Sequence, residues 1–220
     1  MKKFFTLIAA AFLAAGVQAQ VITFTAGEKP TEGFAAGDFK LTYVDDDSKI
    51  VVDANNCYFG TATEQTKFSA RLKTGGKSSS KNNLTAKVPA AGVLKIAVRT
   101  GSNSATDRNV VIAQNGTELY NKVVLESDAI KVKGLDEAEP EKETNVYPYI
   151  TVNVEAGDVN ITYPVGSVNF YAFEFIGGSA GITNVKANAE KNVIYNLAGQ
   201  KVAADYKGIA IKNGKKVVLK

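Results

Sequence analysis

The chain has 220 residues, of which 45% are hydrophobic and 22% are charged, and it contains one cysteine and no histidine or tryptophan. The absence of histidine excludes catalytic pairs and metal sites that use an imidazole, and a single cysteine excludes an intramolecular disulfide. The net charge of +4 is uneven, because residues from 181 onward carry +6 and residues 20–180 carry −4, a distribution that argues against a nucleic-acid-binding domain.

Residues 1–19 have the pattern of a secretory signal peptide. Two lysines precede an apolar run of 14 residues from Phe4 to Val17, and the small residues that follow predict cleavage between Ala19 and Gln20. A transmembrane helix needs roughly 20 apolar residues, and the chain has no second apolar run of this kind. The chain is therefore predicted to be exported, with no transmembrane anchor after cleavage.

The stretch from Val21 to Ile176 has apolar residues at alternate positions and turn-forming residues every 8 to 12 positions. The predicted strands are residues 39–44, 49–53, 67–73, 83–88, 93–98, 109–114, 149–154, 159–163 and 168–176. No window after residue 19 keeps apolar residues at helical spacing. The pattern predicts an all-β fold, an antiparallel, jelly-roll-like β-sandwich over residues 20–177.

Two of these strands also predict how their faces are used. In residues 93–98, Leu94, Ile96 and Val98 are expected on one face and Lys95 on the other. Residues 168–176 are apolar on both faces, which is typical of a central strand that is covered on both sides.

Three features between the strands have simple interpretations. The acidic residues 45–47 are predicted to form a turn, with a structural calcium site as the alternative because clustered carboxylates bind hard cations. Residues 136–143 are predicted to be a solvated acidic loop, and Cys57 is predicted to be a small buried apolar residue. No other cofactor is predicted.

Part of the sandwich region resembles the β-sandwich module that accompanies secreted pectate lyases and other glycan-degrading enzymes. The matching pieces are "RLKTGG" at 71–76, the Ala91-Gly92 turn, the loop at 100–106, and Asp107-Arg108 at the start of the next strand. The resemblance covers about 150 residues. It implies a jelly-roll module of carbohydrate-binding type that is not itself catalytic.

Sugar recognition needs an aromatic ring for the apolar side of the sugar and forked polar groups for its hydroxyls. The candidate ligand-binding residues are Tyr149, Arg99, Arg71, Asp107 and Arg108, and further candidate rings are Tyr58, Tyr147 and Tyr171. Tyr149 is expected to face outward, opposite Ile150. The alternatives are that the tyrosines pack in the core or at its rim, and that Arg108 ties down the loop at 100–106.

The predicted function is a secreted or surface-exposed, non-catalytic module that binds a polysaccharide. The alternative is a structural or adhesin-type surface protein that binds protein partners. Because a glycoside hydrolase or lyase can work with carboxylates alone, such an enzyme stays a minor alternative.

Residues 178–192 are predicted to be a linker, and residues 193–220 a basic β-tail. Residues 193–197 and 208–212 alternate in polarity, and Asn213-Gly214 is typical of a two-residue type I′ turn that returns the chain as a strand.

The tail resembles the C-terminal sorting domain of type IX secretion cargo in Gram-negative bacteria. The matching pieces are "YNLAGQKV" at 195–202, the glycine of "KGIAI" at 207–211, and "KKVVLK" at 215–220. The resemblance implies that secretion machinery recognises the tail and that the protein reaches the cell surface or the medium. The interval before the second glycine is shorter than in that family. A related β-cap that stays attached, or a solvated hairpin without a sorting role, are therefore alternatives, and either would leave the protein in the periplasm.

Overall fold

The structure of the protein is a computed structural model that describes residues 19–178, 194–196, 201–202, 207–212 and 215–219. Residues 1–18 of the predicted signal peptide, most of the predicted linker, and the Asn213-Gly214 turn lie outside the described residues. Within the described residues the only helix is a single 3-10 turn at Glu126–Asp128, and no helix is long and apolar enough to span a membrane. The predicted all-β fold is confirmed.

The first fourteen strands belong to the sandwich. They are β1 (Gln20–Thr23), β2 (Phe34–Ala36), β3 (Phe39–Asp45), β4 (Val51–Gly60), β5 (Gln65–Lys73), β6 (Asn82–Val88), β7 (Gly92–Thr100), β8 (Asn109–Gln114), β9 (Thr117–Val123), β10 (Ile130–Val132), β11 (Thr144–Tyr147), β12 (Ile150–Val154), β13 (Gly157–Thr162) and β14 (Val168–Gly177). Each of the nine predicted strands is present, and β1, β2, β9, β10 and β11 are additional.

These strands form two sheets. Sheet A has the order β10-β11-β4-β5-β14-β7-β12, and sheet B has the order β2-β3-β6-β13-β8-β9. All neighbours are antiparallel except β11 and β4, which are parallel. In sheet A, β7 pairs with β14 along its whole length. The other edge of β14 is shared, since β5 pairs with Asn169 and Phe170 and β1 pairs with residues 172–175.

The main core lies between the two sheets. Leu94, Ile96 and Val98 of β7 point into it together with Phe170 and Phe173 of β14, as their alternation predicts. A bulge between Phe170 and Ala172 lets β14 keep inward-facing aromatic residues on both sides of the irregularity.

A second, smaller hydrophobic cluster covers the opposite side of sheet A, which we call the outer face. Its buried members are Cys57, Phe59, Ala97, Tyr147, Tyr171 and Ala172. Ala97 lies between the core residues Ile96 and Val98, so this cluster is on the reverse side of the same strand. Strand β14 is thus buried on both faces, as predicted for a central strand, and the free thiol of Cys57 is buried as predicted.

The C-terminal unit comprises residues 180–220 and is compact by itself. Its strands are β15 (Ile194–Asn196), β16 (Lys201–Val202), β17 (Gly208–Lys212) and β18 (Lys215–Leu219), in the order β16-β15-β17-β18. Strands β17 and β18 form an antiparallel pair in which Lys212 is opposite Lys215. The described residues of the tail therefore form a four-stranded sheet, in which β17 and β18 pair in the antiparallel register that the predicted hairpin requires.

Candidate binding face on sheet A

Three of the five predicted ligand-binding residues belong to the outer face. Arg71 alternates along β5 with the core residues Ala70 and Leu72, and Arg99 follows Val98 at the end of β7. Tyr149 directly precedes β12 and packs against the outer hydrophobic cluster. Alternation within strands places Arg71 and Arg99 on the side of sheet A that faces away from sheet B, and its contacts with the outer cluster place Tyr149 on the same side.

Arg71 forms a two-pronged ion pair with Asp53, its cross-strand neighbour on β4. The Arg71 Nε donates to Asp53 Oδ1 at 2.7 Å, and Nη2 donates to Oδ2 at 3.2 Å. The hydrogen bond to Asp53 raises the pKa of Arg71. The guanidinium therefore stays charged in a fixed orientation, because a planar fork matches a carboxylate.

Tyr171 is fully buried next to this pair. Its hydroxyl donates to Asn55 Oδ1 at 2.6 Å, and burial raises the pKa of its phenol. Polar side chains of β4, Asp53 and Asn55, therefore border the outer hydrophobic cluster next to Tyr171 and Arg71.

Arg99 lies in a denser polar network on β7, which is separated from the β5 strand of Arg71 by β14. Its Nη2 donates to Asn103 Oδ1 at 2.8 Å and lies 3.5 Å from Glu126 Oε2, and its guanidinium carbon is 5.1 Å from the ring centre of Tyr147. Burial alone would lower the pKa of Arg99, but Tyr147, Tyr171 and Glu126 outweigh it and the pKa is raised.

Glu126 connects this network to β11. Its Oε1 accepts from the Tyr147 hydroxyl at 2.6 Å and from Asn145 Nδ2 at 3.0 Å. Three buried atoms here have no hydrogen-bond partner among the described residues: Arg99 Nε, Glu126 Oε2 and Asn145 Oδ1. Unpaired buried polar atoms are costly, and because these three atoms are buried they are not open to a ligand at the surface.

The ring of Tyr149 is less exposed to a ligand than the sequence suggests. It lies on the side opposite Ile150, as predicted, but its ring is half-buried, with the Phe59 ring centre 5.6 Å away. Lys95 Nζ lies over the ring at 4.1 Å from its centre and also pairs with Glu174 at 3.0 Å. Burial raises the pKa of Tyr149. One side of this ring is therefore already used by a cation–π contact.

The other candidate rings pack rather than present a surface. Tyr147 is 2% exposed and Tyr171 is 0% exposed, so neither can stack on a ligand. Tyr58 is half-buried, and its hydroxyl donates to the Leu135 carbonyl at 3.1 Å. The packing alternative holds for Tyr147 and Tyr171.

Asp107 and Arg108 belong to the loop between β7 and β8. The Arg108 guanidinium packs directly on Gly166, where a β-carbon would overlap Arg108 Nη1. Its Nε is 3.6 Å from Asp107 Oδ1, and its carbonyl accepts from the Val124 amide at 2.9 Å. None of these three contacts involves residues 100–106, so the alternative that Arg108 ties down that loop stays a prediction.

The residues that sequence reasoning missed are the acidic and amide partners of the outer-face cations, namely Asp53, Asn55, Glu126, Asn145 and Glu174. Asp53 ends a predicted strand, but its pairing with Arg71 depends on strand register, which the sequence pattern does not specify.

The acidic residues 45–47 form a turn, as expected. Asp45 accepts from the amides of Lys49 and Ile50 through Oδ1, at 2.6 and 2.9 Å, and from Lys29 Nζ through Oδ2 at 2.6 Å. Within the described residues no group of three or more acidic or cysteine side chains is placed to hold a metal ion.

Comparisons with known proteins add little beyond this geometry. No family model and no curated protein matches the chain. A solved chain from work on glycan recognition in the Ruminococcus flavefaciens cellulosome superimposes with a TM-score of 0.37 and 12% identity, over 73% of this chain and 94% of that one. The catalytic unit of an α-1,3-glucanase from Streptomyces thermodiastaticus superimposes with a TM-score of 0.34 and 16% identity, over 71% of this chain and 30% of that one. A glucanase catalytic domain in complex with tetrasaccharides superimposes with a TM-score of 0.32 and 12% identity, over 77% of this chain and 32% of that one.

Proposed function

We propose that this chain is an exported, non-catalytic module that binds carbohydrate through the outer face of sheet A. The observation that carries the proposal is the presence of three partly exposed ion pairs on that face. Side-chain exposures are 19% and 36% for Arg71 and Asp53, 32% and 23% for Lys95 and Glu174, and 18% and 26% for Arg99 and Glu126.

Such pairs suit the chemistry of sugars. Each sugar hydroxyl both donates and accepts a hydrogen bond, and each ion pair offers donors and acceptors side by side. The hydrogen bonds between Arg71 and Asp53 fix both side chains before a ligand arrives, so little side-chain entropy is lost on binding. The half-buried ring of Tyr149 lies next to Lys95 and gives the face an aromatic component.

The ends of the chain support export. Residues 1–19 have the composition of a signal peptide, and the tail has the sequence pattern of a type IX sorting domain. The proposed location is therefore the outer cell surface or the medium, and the proposed partner of the tail is the secretion machinery. If the tail has no sorting role, the location is the periplasm.

The test is a glycan array probed with the mature protein, residues 20–220, followed by affinity measurements on the best polysaccharide. Two matched variants locate the site. Arg71→Lys keeps the charge on the outer face but loses the two-pronged geometry, and Arg108→Lys makes the same change in the loop between β7 and β8. We expect Arg71→Lys to weaken binding by about tenfold, the factor that about 1.4 kcal/mol produces, and Arg108→Lys to leave it unchanged.

Two outcomes would contradict the proposal. Failure to bind any glycan would favour the adhesin-type alternative, in which the ligand is a protein. Loss of binding in Arg108→Lys, with Arg71→Lys unaffected, would move the site from the outer face to the loop.

A further inference from the structure

The side of sheet B that faces away from sheet A carries a shallow groove that the proposed function does not use. Its volume is about 480 Å³. We call it the sheet B groove, and its lining residues are Ser78, Ser79, Asn83, Leu84, Asn160, Thr162 and Pro164. None of these seven side chains carries a charge.

Strand alternation explains why polar side chains lie in this groove. Asn160 and Thr162 flank the core residue Ile161 on β13, and Asn83 precedes the core residue Leu84 on β6. Because successive side chains of a strand point to opposite faces, Asn83, Asn160 and Thr162 point away from the core.

A row of uncharged side chains extends the groove across the sheet. Asn160 is opposite Thr85 of β6 on one side and Ala113 of β8 on the other, and Thr85 is opposite Thr42 of β3. Four neighbouring strands span about 14 Å at the usual strand spacing, which is room for a short oligosaccharide. Charged residues border this region without lining the groove, among them Lys40, Lys77, Lys81, Lys87, Glu118 and Asp158.

The wall of the groove is fixed by hydrogen bonds within the protein. Ser78 Oγ accepts from the Tyr163 amide at 2.9 Å, and Asn83 Nδ2 donates to the Ser79 carbonyl at 2.9 Å. A ligand therefore meets a preformed surface, and little side-chain entropy is lost when it binds.

Other polar groups of the groove are free and reach the surface. Within the described part of the chain, the side chains of Asn160 and Thr162 make no hydrogen bond, and Asn83 Oδ1 accepts none. Asn160 is exposed, and neither Thr162 Oγ1 nor Asn83 Oδ1 is a buried atom without a partner. Water or a ligand can therefore contact all three groups.

These free groups suit sugar hydroxyls. An amide and a hydroxyl both donate and accept hydrogen bonds, as a sugar hydroxyl does. The exposed ring of Pro164 offers apolar surface where no aromatic ring is present. A protein partner fits less well, because the groove has none of the tyrosine, tryptophan or arginine side chains that anchor most protein interfaces.

From this geometry we infer that the sheet B groove is a second sugar-binding site, weaker than a site with an aromatic ring, which holds a polysaccharide chain through its hydroxyl groups. The inference rests on the proposed carbohydrate-binding function for the class of ligand, and it adds a site on the opposite face of the sandwich. A protein with a site on each face holds two chains at once and cross-links a polysaccharide.

The test is amide chemical-shift mapping by NMR. The isotope-labelled mature protein, residues 20–220, is titrated separately with cellohexaose, xylohexaose, mannohexaose and maltohexaose. We expect at least one of these oligosaccharides to shift the amides of β6, β13 and the loop at 77–81.

Two variants remove free polar groups from the groove: Thr162→Val, which keeps the β-branched shape, and Asn160→Ala. Neither removes a hydrogen bond within the described protein, so neither is expected to unfold it. We expect each to weaken binding in the groove about fivefold, the factor that one hydrogen bond of about 1 kcal/mol produces. The matched control is Thr117→Val at an exposed position of β9 outside the groove, and it should bind as the unmodified protein does.

The outcomes separate the second site from the proposed function. Shifts on sheet A alone would overturn the second site and leave the proposed function intact, and equal weakening by Thr162→Val and Thr117→Val would also count against the groove. Shifts in the groove alone would support the second site and contradict the location proposed on sheet A. No shift on either face would overturn both.

Discussion

Asp45 is a carboxylate whose two oxygens both accept hydrogen bonds from other groups of the protein. Its side chain is 5% exposed and is shared by the ammonium of Lys29 and two backbone amides of the turn that follows β3. Burial alone would raise the pKa of Asp45, but the hydrogen bonds from Lys29 and from the amides of Ile50 and Lys49 lower it overall. The acid is therefore held in its charged form by the folded state.

A pH-dependent contribution to stability follows from this lowered pKa. A group whose pKa is lower when folded stabilises the protein above its unfolded pKa, about 3.9 for aspartate, and loses that effect as the pH falls through the folded value. We expect Asp45→Asn to reduce the free energy of unfolding at pH 7 by about 1–3 kcal/mol. The difference from the unmodified protein should shrink as the pH falls below about 4.

Urea unfolding of residues 20–220 between pH 3 and pH 7 measures this difference. Asp46→Asn is the matched control, because Asp46 is the exposed neighbour of Asp45. A loss of the same size in the control, or a difference that stays constant down to pH 3, would contradict the role assigned to Asp45.

Among the elements, the turn after β5 is tightly constrained by its neighbours. The Thr74 hydroxyl exchanges hydrogen bonds with both backbone groups of Val168 at 3.1 Å. Gly75 has φ +64°, and a β-carbon there would clash with the Lys49 carbonyl oxygen. The turn therefore contacts both β14 and the segment before β4. These contacts leave no room for a side chain at residue 75.

Three glycine substitutions separate conformational strain from steric clash. Gly116 also has a positive φ, of +76°, but a β-carbon added there would have no atom within 4 Å, whereas one added at Gly76 would lie 3.4 Å from the flexible Lys49 Cδ. We expect Gly116→Ala to cost about 1–2 kcal/mol from backbone strain and Gly76→Ala less than about 0.5 kcal/mol. Gly75→Ala should cost more than Gly116→Ala, because it adds the clash to the strain.

Denaturant midpoints of the three variants test this order. If Gly75→Ala is no more destabilising than Gly116→Ala, the Lys49 carbonyl does not limit the turn, and the close approach is not a determinant of stability.

On the scale of the whole molecule, strand pairing divides the described residues into two sets. Strands β1–β14 pair only with one another, and β15–β18 likewise pair only with one another. Because the sandwich supplies its own core between sheets A and B, its stability should not depend on the C-terminal strands.

Deletion of residues 194–220 should therefore leave the melting temperature of the sandwich within about 2 °C of the full mature chain, less than the shift that 1 kcal/mol causes in a domain of this size. In a Gram-negative host that has a type IX secretion system, the truncated protein should accumulate in the periplasm. Ile22→Ala, which removes a buried core side chain, is the control that must lower the melting temperature. Arrival of the truncated protein at the cell surface would contradict a sorting role, and a large loss of stability would make the tail a structural cap.

The sequence by itself determined the class of fold, the positions of the longer strands and which of their faces are buried. All nine strands predicted from alternation are present, and so are the core-facing residues of β7 and the burial of β14 on both faces. These features follow from local periodicity, because a strand of six or more residues that buries one face must alternate. Strands β1, β2, β10 and β11 have only three or four residues, and β9 is largely exposed, so none of them shows a clear alternation.

The tertiary structure decided which residues meet on the outer face. Alternation indicated that Arg71 and Arg99 point away from the core, but their partners lie 18 and 27 residues away along the chain, at Asp53 and Glu126. A bulge in β4 between Ala54 and Cys57 shifts the register beside Arg71. Tyr149 was expected to be outward, and the structure places its ring between Phe59 and Lys95. Periodicity specifies the face of a residue, whereas register, bulges and crossovers between distant strands specify its neighbours.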